Sequence, residues 1–333
     1  MRYISAICLT AALSFASFGV YAQGDSDPGL TKVGAMRNTS ALMINEFDYE
    51  NQRAHLSFSH TFAKGERDAK LNISSLDARI PMFGMFSGGY FDVQVPIVSI
   101  SGELGKTWGL GDVNFAYTHM FLGKEDWAIQ GTGGLKIGMG TANLLDGKTR
   151  PLPMSYQPGQ GSTDFMVGGS VTWKKYVTAA AGYQQAFVRY NENDFFAANA
   201  LNDTIYSRNV YPIARKLHRF GDVMLRLEGH YYTDRAGVTI GAVGLYHVKN
   251  DLYEDRNTGN WYEITGSKGF TLNMVGNGFV RFGRHGEYKL DLTVAAPFPN
   301  SRRDVIADGT AKEWYVSPRF TFFLGSKKGS LMF

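Results

Sequence analysis

Along most of this chain the side chains alternate between two faces. Val113, Phe115, Tyr117, His119 and Phe121 are separated by Asn114, Ala116, Thr118 and Met120. Ile129, Leu135, Ile137 and Met139 share a face with Gly131 and Gly133, while Gln130, Thr132, Gly134, Lys136 and Gly138 take the other. Phe165, Val167, Val171 and Trp173 alternate with Met166, Gly168, Ser170 and Thr172, and Val223, Leu225 and Leu227 with Arg226, Glu228 and His230. A period of two is the signature of a strand with two different solvents on its faces. The pattern predicts twelve strands, near 52–63, 68–80, 89–101, 109–121, 126–139, 163–175, 176–188, 218–233, 236–249, 269–283, 286–297 and 313–325. In the second, Leu71 and Ile73 share one face but Leu76, Ala78 and Ile80 take the other, so a bulge is expected there.

The connections carry a second signal. From the fourth strand onward they run short, long, short, long: a turn at 123–126, a loop at 141–162, almost nothing at 174–175, a loop at 189–217. The same order continues with 234–235, 250–268, 284–286 and 300–312. Outer-membrane barrels place short turns on the periplasmic side and long loops outside. The predicted fold is therefore all-β: a transmembrane, antiparallel, up-and-down barrel of about twelve strands, with both ends in the periplasm. Tyr90, Trp127, Trp173, Tyr176, Tyr231 and Trp314 fall near strand ends, where interfacial girdles lie.

Composition agrees with two-faced strands. The chain of 333 residues is 14% aromatic and has 39 Gly, and no later stretch reaches the length of a membrane helix. Mean hydropathy is −0.20, because lipid-facing and water-facing positions average out. Residues 1–22 read as a secretory signal: Arg2, an apolar run from Ile4 to Phe18, then Val20-Tyr21-Ala22. This points to export into the outer membrane of a Gram-negative bacterium. The only Cys, Cys8, lies inside that leader, so the exported chain has no thiol chemistry. A net charge of +4 is too mild to argue for nucleic acid. Residues 23–51 form either a periplasmic tail, the plainer reading, or a segment folded into the lumen as a plug, since Ala41-Leu42-Met43-Ile44 is apolar. The barrel occupies 52–333.

Candidate chemistry is sparse. Gly131-Thr132-Gly133-Gly134 resembles a phosphate loop but has no helix after it, and strand curvature explains the glycines better. His55 and His60 point to opposite faces and cannot share a metal. No Ser, His and orienting group share a supporting spacing, so neither an enzyme nor a cofactor is expected. Three strands open on Gly followed by Asp: Asp112, Asp164 and Asp222 would point into the lumen at the outer mouth. Turn chemistry is the simpler account; an acidic collar that selects solutes or holds a divalent cation is the sharper one. Deeper, Lys136, Arg226, Glu228, His230, Arg281, Lys289, Asp291 and Arg319 also fall on the inward face, as bracing or as a polar filter.

Gly109-Leu110-Gly111-Asp112, then Lys136-Ile137-Gly138-Met139-Gly140-Thr141, then Gly159-Gln160-Gly161-Ser162-Thr163-Asp164-Phe165 form a familiar set. Residues 85–190 resemble the outer-membrane transporter family associated with the MetA pathway of phenol degradation, barrels of the fatty-acid-transporter-like kind. The family's Pro in the Pro-Thr-Gly-like element near Gly138 to Thr141 is absent here. The resemblance implies admission of small hydrophobic or aromatic compounds, and no catalytic residues carry over.

The reading is a passive channel for such solutes, with Phe187, Tyr190, Phe195 and Phe196 as capturing loop aromatics. Its partners would be membrane lipid, lipopolysaccharide and the small-molecule solute. The alternatives are a structural or secretion-linked barrel acting through protein contacts, and a barrel-embedded lipid hydrolase. Liposome swelling separates the first from the others, and a lipid-hydrolysis assay isolates the last.

Overall fold

The computed structural model describes residues 30–32, 34–37, 53–82, 88–124, 126–147, 149–187, 191–196, 211–233, 235–284, 286–299 and 301–324. The leader, the apolar 41–44 run, Tyr190 and the last nine residues lie outside them. The strands are β1 (His55–Gly65), β2 (Lys70–Pro81), β3 (Gly89–Gly102), β4 (Gly105–Leu110), β5 (Val113–Gly123), β6 (Trp127–Ile137), β7 (Asp164–Trp173) and β8 (Val177–Ala186). They continue as β9 (Asp222–Tyr232), β10 (Ala236–His247), β11 (Leu252–Glu254), β12 (Trp261–Glu263), β13 (Gly269–Phe282), β14 (Tyr288–Pro297) and β15 (Lys312–Phe323).

Every neighbour pair in the main sheet is antiparallel, and β1 pairs with both β2 and β15, so the sheet closes on itself. β4 and β5 share β3 as partner, β4 on its upper half and β5 on its lower half, and so act as one interrupted strand. Twelve staves result, as the alternation predicts. The interruption falls at Gly111-Asp112, where the Gly111 N–H donates to the Pro96 carbonyl at 2.8 Å. β11 and β12 form a separate hairpin within an outer loop.

The two faces of the wall obey opposite rules. Leu225, Leu227, Ile240, Leu290 and Leu292 point outward and are about half exposed, as a lipid-facing belt requires. Inward positions on the same strands carry Arg226, Glu228, Thr239, Lys289 and Asp291, all buried. Closure into a barrel removes the edges that a bilayer cannot tolerate.

Two expectations are corrected. No bulge interrupts β2: its pairings with β1 and β3 run in continuous register. Leu71 and Ile73 do face inward while Leu76 and Ile80 face lipid, but the pleat never breaks. The apolar residues change sides because the lumen itself is apolar near the mouth. There Leu71, Val98 and Ile100 pack with Leu152, Tyr156, Phe195 and Tyr211 from the outer loops. Register shifts occur instead at Met120/Leu122 and Lys64/Gly65. Tyr90 leaves the girdle set, for it is 2% exposed and inward, on the face of Asp92 and Gln94, with the Arg79 guanidinium 3.9 Å from its ring centroid. Trp127, Trp173, Tyr176, Tyr231 and Trp314 are all exposed on the outer face, as a girdle needs.

Candidate functional site

The outer mouth is built where strand tops meet folded loops. Strand parity aims Lys136, Asp164, Asp222 and His247 at one another from β6, β7, β9 and β10, and His247 is the cross-strand partner of Asp222. Arg219, in the loop just before β9, lies at the centre. Its guanidinium donates to Asp164 at 3.0 Å and Asp222 at 2.5 Å, with Asp308 at 3.2 Å. Lys136 adds a 2.8 Å contact to Asp164 and hydrogen-bonds Gln160. His247 bridges Asp222 at 2.8 Å and Asp251 at 2.9 Å. Arg303 holds Asp308 from the last loop at 3.1 Å. The Lys, Arg, Asp and His side chains of this cluster are all 4% exposed or less. A buried charge persists only when paired and hydrogen-bonded, and here the loop residues Arg219, Asp251, Arg303 and Asp308 supply partners. Burial by itself raises the Asp308 pKa, but the Arg303 and Arg219 charges outweigh it and hold the carboxyl well below the usual carboxylate range.

The three Gly-Asp starts therefore form no free acidic collar. Asp112 accepts backbone N–H bonds from Gln160 at 2.8 Å and Gly140 at 3.2 Å, which is loop capping. Asp164 and Asp222 are engaged by Arg219, Lys136 and His247. Among the described residues no three His, Cys, Asp or Glu side chains are placed to hold a metal ion.

Deeper in the lumen the charges behave differently. A short stretch of chain, Leu30–Lys32 and Gly34–Met36, lies inside the barrel against β5 to β8. Met36 is fully buried beside Ala116, Met166, Ala180 and Met224. The Ala35 N–H donates to Thr132 Oγ1 at 2.8 Å. Arg226 donates to the carbonyls of Ala35, at 3.1 Å, and of Arg37. Arg37 reaches Asp77 at 3.3 Å, and Arg319 reaches the same carboxylate at 3.5 Å. Gly34 sits at φ +51°, and a Cβ there would run into the Thr118 and Thr132 hydroxyls. Only glycine meets both demands without strain.

The remaining inward residues of the sequence list occupy the lumen wall. Arg226 lies 3.7 Å from Glu228, so the pair two apart on β9 does meet. His230 bridges Thr178 and Thr239. Lys289 is 3.4 Å from Asp291, and both Lys289 and Arg281 lie over the Phe279 ring. The pair Arg79–Asp92, bidentate at 2.7 and 3.0 Å, escaped the sequence reading although Asp92 shares its face with Gln94. Arg219 falls in the predicted strand 218–233 on the outward parity of Val223 and Leu225, whereas the strand begins at Asp222 and leaves it in the loop; Asp251, Arg303 and Asp308 are loop residues with no parity to read.

Of the loop aromatics, Phe187 is exposed and Phe196 partly so, whereas Phe195 is 2% exposed and packs edge-on against Tyr211, which in turn meets Tyr156. Phe195 is thus part of the seal over the mouth and not a surface capture residue. A Ser–His contact that spacing did not reveal is present on the lipid-facing side, where Ser74 and His60 are cross-strand partners 2.8 Å apart. Among the described residues no carboxylate or amide bonds the other ring nitrogen, so the orienting member of a triad is missing there.

Among the described residues, two cavities lie within the lumen. One, of about 120 Å³, is lined by Arg37, Asp291, Tyr315 and Arg319 with Ser and Thr side chains. The other, of about 110 Å³, lies beneath the mouth and is lined by Leu71, Val98, Ile100, Met154 and Pro158 facing Lys136 and Gln160. Lys32, Ile73, Pro96 and Lys312 line both, so the two cavities adjoin.

No protein-family model and no curated protein matches the chain. Among solved structures, an outer membrane channel from Pseudomonas putida F1 superposes with a TM-score of 0.55 at 13% identity, covering 81% of this chain and 94% of that one. The CymD monoaromatic hydrocarbon channel gives 0.45 at 10% identity, covering 93% of this chain and all of the other. The NanC porin gives 0.41 at 9% identity over 81% of this chain and all of the other. The first of these likenesses, with the closed ring and its apolar belt, makes the fold that of an outer-membrane β-barrel.

Proposed function

We propose that the protein is a non-enzymatic, passive outer-membrane channel for small hydrophobic or aromatic compounds. The observation that carries this reading is the closed barrel with a polar, charged lumen that still holds two small adjoining cavities. Empty space inside a closed ring is what a path for small solutes needs. The superposing Pseudomonas barrel is itself a channel, which supports the same reading. Residues 30–32 and 34–37 act as a plug that narrows the path, and the loops restrict its outer end. The belt contacts membrane lipid, and the outer loops meet lipopolysaccharide.

The test is swelling of liposomes carrying the exported form of the protein. Small neutral solutes, benzamide among them, should enter faster than into protein-free liposomes, and oligosaccharides should not. Equal rates with and without protein, in the intact chain and in a variant lacking residues 30–37, would contradict the channel.

A further inference from the structure

The outward face of the barrel is not the same all the way round. On β7, β9 and β10 it presents Val167, Val171, Leu225, Leu227, Val238 and Ile240, all exposed. On β1 to β4 a wedge of polar side chains interrupts it. Lys70 of β2 stands opposite Ser101 of β3, and Ser101 opposite Lys106 of β4. Two residues nearer the periplasm, Asn72 stands opposite Ser99, and Ser99 opposite Trp108, which is 74% exposed. Two residues lower again, Ser74 stands opposite His60 of β1, with His60 Nδ1 2.8 Å from Ser74 Oγ. Beneath them Phe58 and Leu76 restore the apolar belt. The intervening positions Leu71, Ile73, Val98 and Ile100 line the lumen, so the polar set faces outward. The turns above it, 66–69 and 103–104, lie on the same side of the membrane as the loops after β6 and β8.

Along β2 the positions Lys70, Asn72 and Ser74 span about 13 Å of strand, which is about 10 Å of depth at a tilt of about 40°. A polar group at that depth on a lipid-facing wall costs free energy unless something bonds it. Ser74 serves one ring nitrogen of His60, and among the described residues no side chain serves the other. Residues 64–70, 103–106 and 313 carry as many acids as bases, and Asp68 and Glu313 engage Lys64, so net charge does not choose the guest. The order of groups does. Amines come first, then amide, hydroxyl and indole, then hydroxyl and imidazole, then hydrocarbon. A glycerophospholipid offers its last hydrogen bonds at the ester carbonyls, close beneath the phosphate. A phosphorylated glycolipid carries them deeper, through a sugar and the amide-linked, hydroxylated roots of its acyl chains. Only the second spans all three rows.

We infer that the outer face of β1 to β4 is a binding site for a phosphorylated glycolipid of the outer leaflet. Its phosphate lies at Lys70 and Lys106, where the contact is charge-assisted. Its sugar lies against Trp108 with Asn72 and Ser99, at the level where an indole is at home. The polar root of an acyl chain lies at His60 and Ser74, and the chain itself runs down over Phe58 and Leu76. This goes beyond the channel reading and shares with it only the placing of the belt in the membrane.

The experiment is a calorimetric titration of the detergent-purified full chain with lipid A, the anchor of lipopolysaccharide, and separately with phosphatidylglycerol in the same detergent. Lipid A should bind saturably, and phosphatidylglycerol more weakly by about tenfold or more. Lys70→Gln combined with Lys106→Gln should weaken lipid A by about tenfold. His60→Leu combined with Ser74→Ala should weaken lipid A and close most of its margin over phosphatidylglycerol. Apolar replacements suit a lipid-facing wall, so the second variant still assembles, and the heat-induced mobility shift of the barrel on electrophoresis checks each one. No saturable binding, equal affinity for the two lipids, or indifference to both double variants in folded barrels would overturn the site. A dimer of the purified chain that His60→Leu with Ser74→Ala splits would give the wedge to a second copy, and would overturn it as well. Solute-driven swelling tests the channel alone, because none of these outward side chains lines the two cavities.

Discussion

The mouth and the mid-lumen close the same barrel by different physics. At the mouth, acids on the strand tops are gathered by Arg219 and by other cations from loops distant in sequence. That network is buried, and beside it Tyr156, Phe195 and Tyr211 pack over Leu71, Val98 and Ile100 in an apolar cluster. In the mid-lumen, Arg226 and Thr132 hold only the backbone of a short inserted stretch. The first closure is welded into the wall. The second is a separable piece of chain held by a few hydrogen bonds and one buried methionine. The difference teaches which closure can yield: perturbing the mouth should cost stability, whereas perturbing the segment should change flow and leave the barrel standing.

The largest expected effect tests the welded side. Arg219→Ala leaves Asp164, Asp222 and Asp308 buried beside a missing charge, and breaking such a pair costs about 3–5 kcal/mol. Thermal unfolding of the variant should begin well below that of the parent, with a higher conductance. An unchanged melting curve would show that the loops do not need this network. Next comes the belt on which both regions depend. Leu227→Arg places a charge on the lipid face of β9, at a cost of about 2–4 kcal/mol near the bilayer midplane. Assembly into lipid vesicles should fall sharply, and normal assembly would mean that this face is not in lipid.

The segment is tested by Gly34→Val, which adds a Cβ against Thr118 and Thr132 at a positive φ. The expected penalty is about 1–2 kcal/mol, the cost of a left-handed backbone for a non-glycine residue. It should release the segment and raise conductance while barely moving the unfolding temperature. A fall in that temperature as large as for Arg219→Ala would erase the contrast. The smallest effect is on pH. Asp308 is held below the ordinary carboxylate range, so its stabilisation is complete above about pH 4, the unfolded value, and is lost only as pH falls further. Conductance should stay flat from neutral pH to about pH 5 and rise below about pH 4. A rise beginning near neutrality would mean that Asp308 is not the controlling acid.

The barrel was legible because a wall between lipid and water imposes a period of two on every strand, and turn lengths add a second, independent parity. In the structure Lys136, Asp164, Asp222, Arg226 and Lys289 are all buried. Parity failed where the inside is not watery. Leu71 and Ile73 looked like a register fault in β2 because inward was equated with polar, whereas the mouth is lined with apolar side chains. Tyr90 was misplaced for a related reason, since an aromatic near a strand end reads as a girdle residue until its face is counted. Loop partners such as Asp308, and the inserted position of Met36, were beyond reach because their placement depends on contacts far apart in the chain.

The most direct test of the central claim is single-channel recording in planar bilayers of the exported form and of a variant lacking residues 30–37. Two small adjoining cavities beside a separable segment predict small discrete steps for the parent and clearly larger ones for the variant. Identical steps for the two, or silence from both in barrels that fold normally, would contradict it.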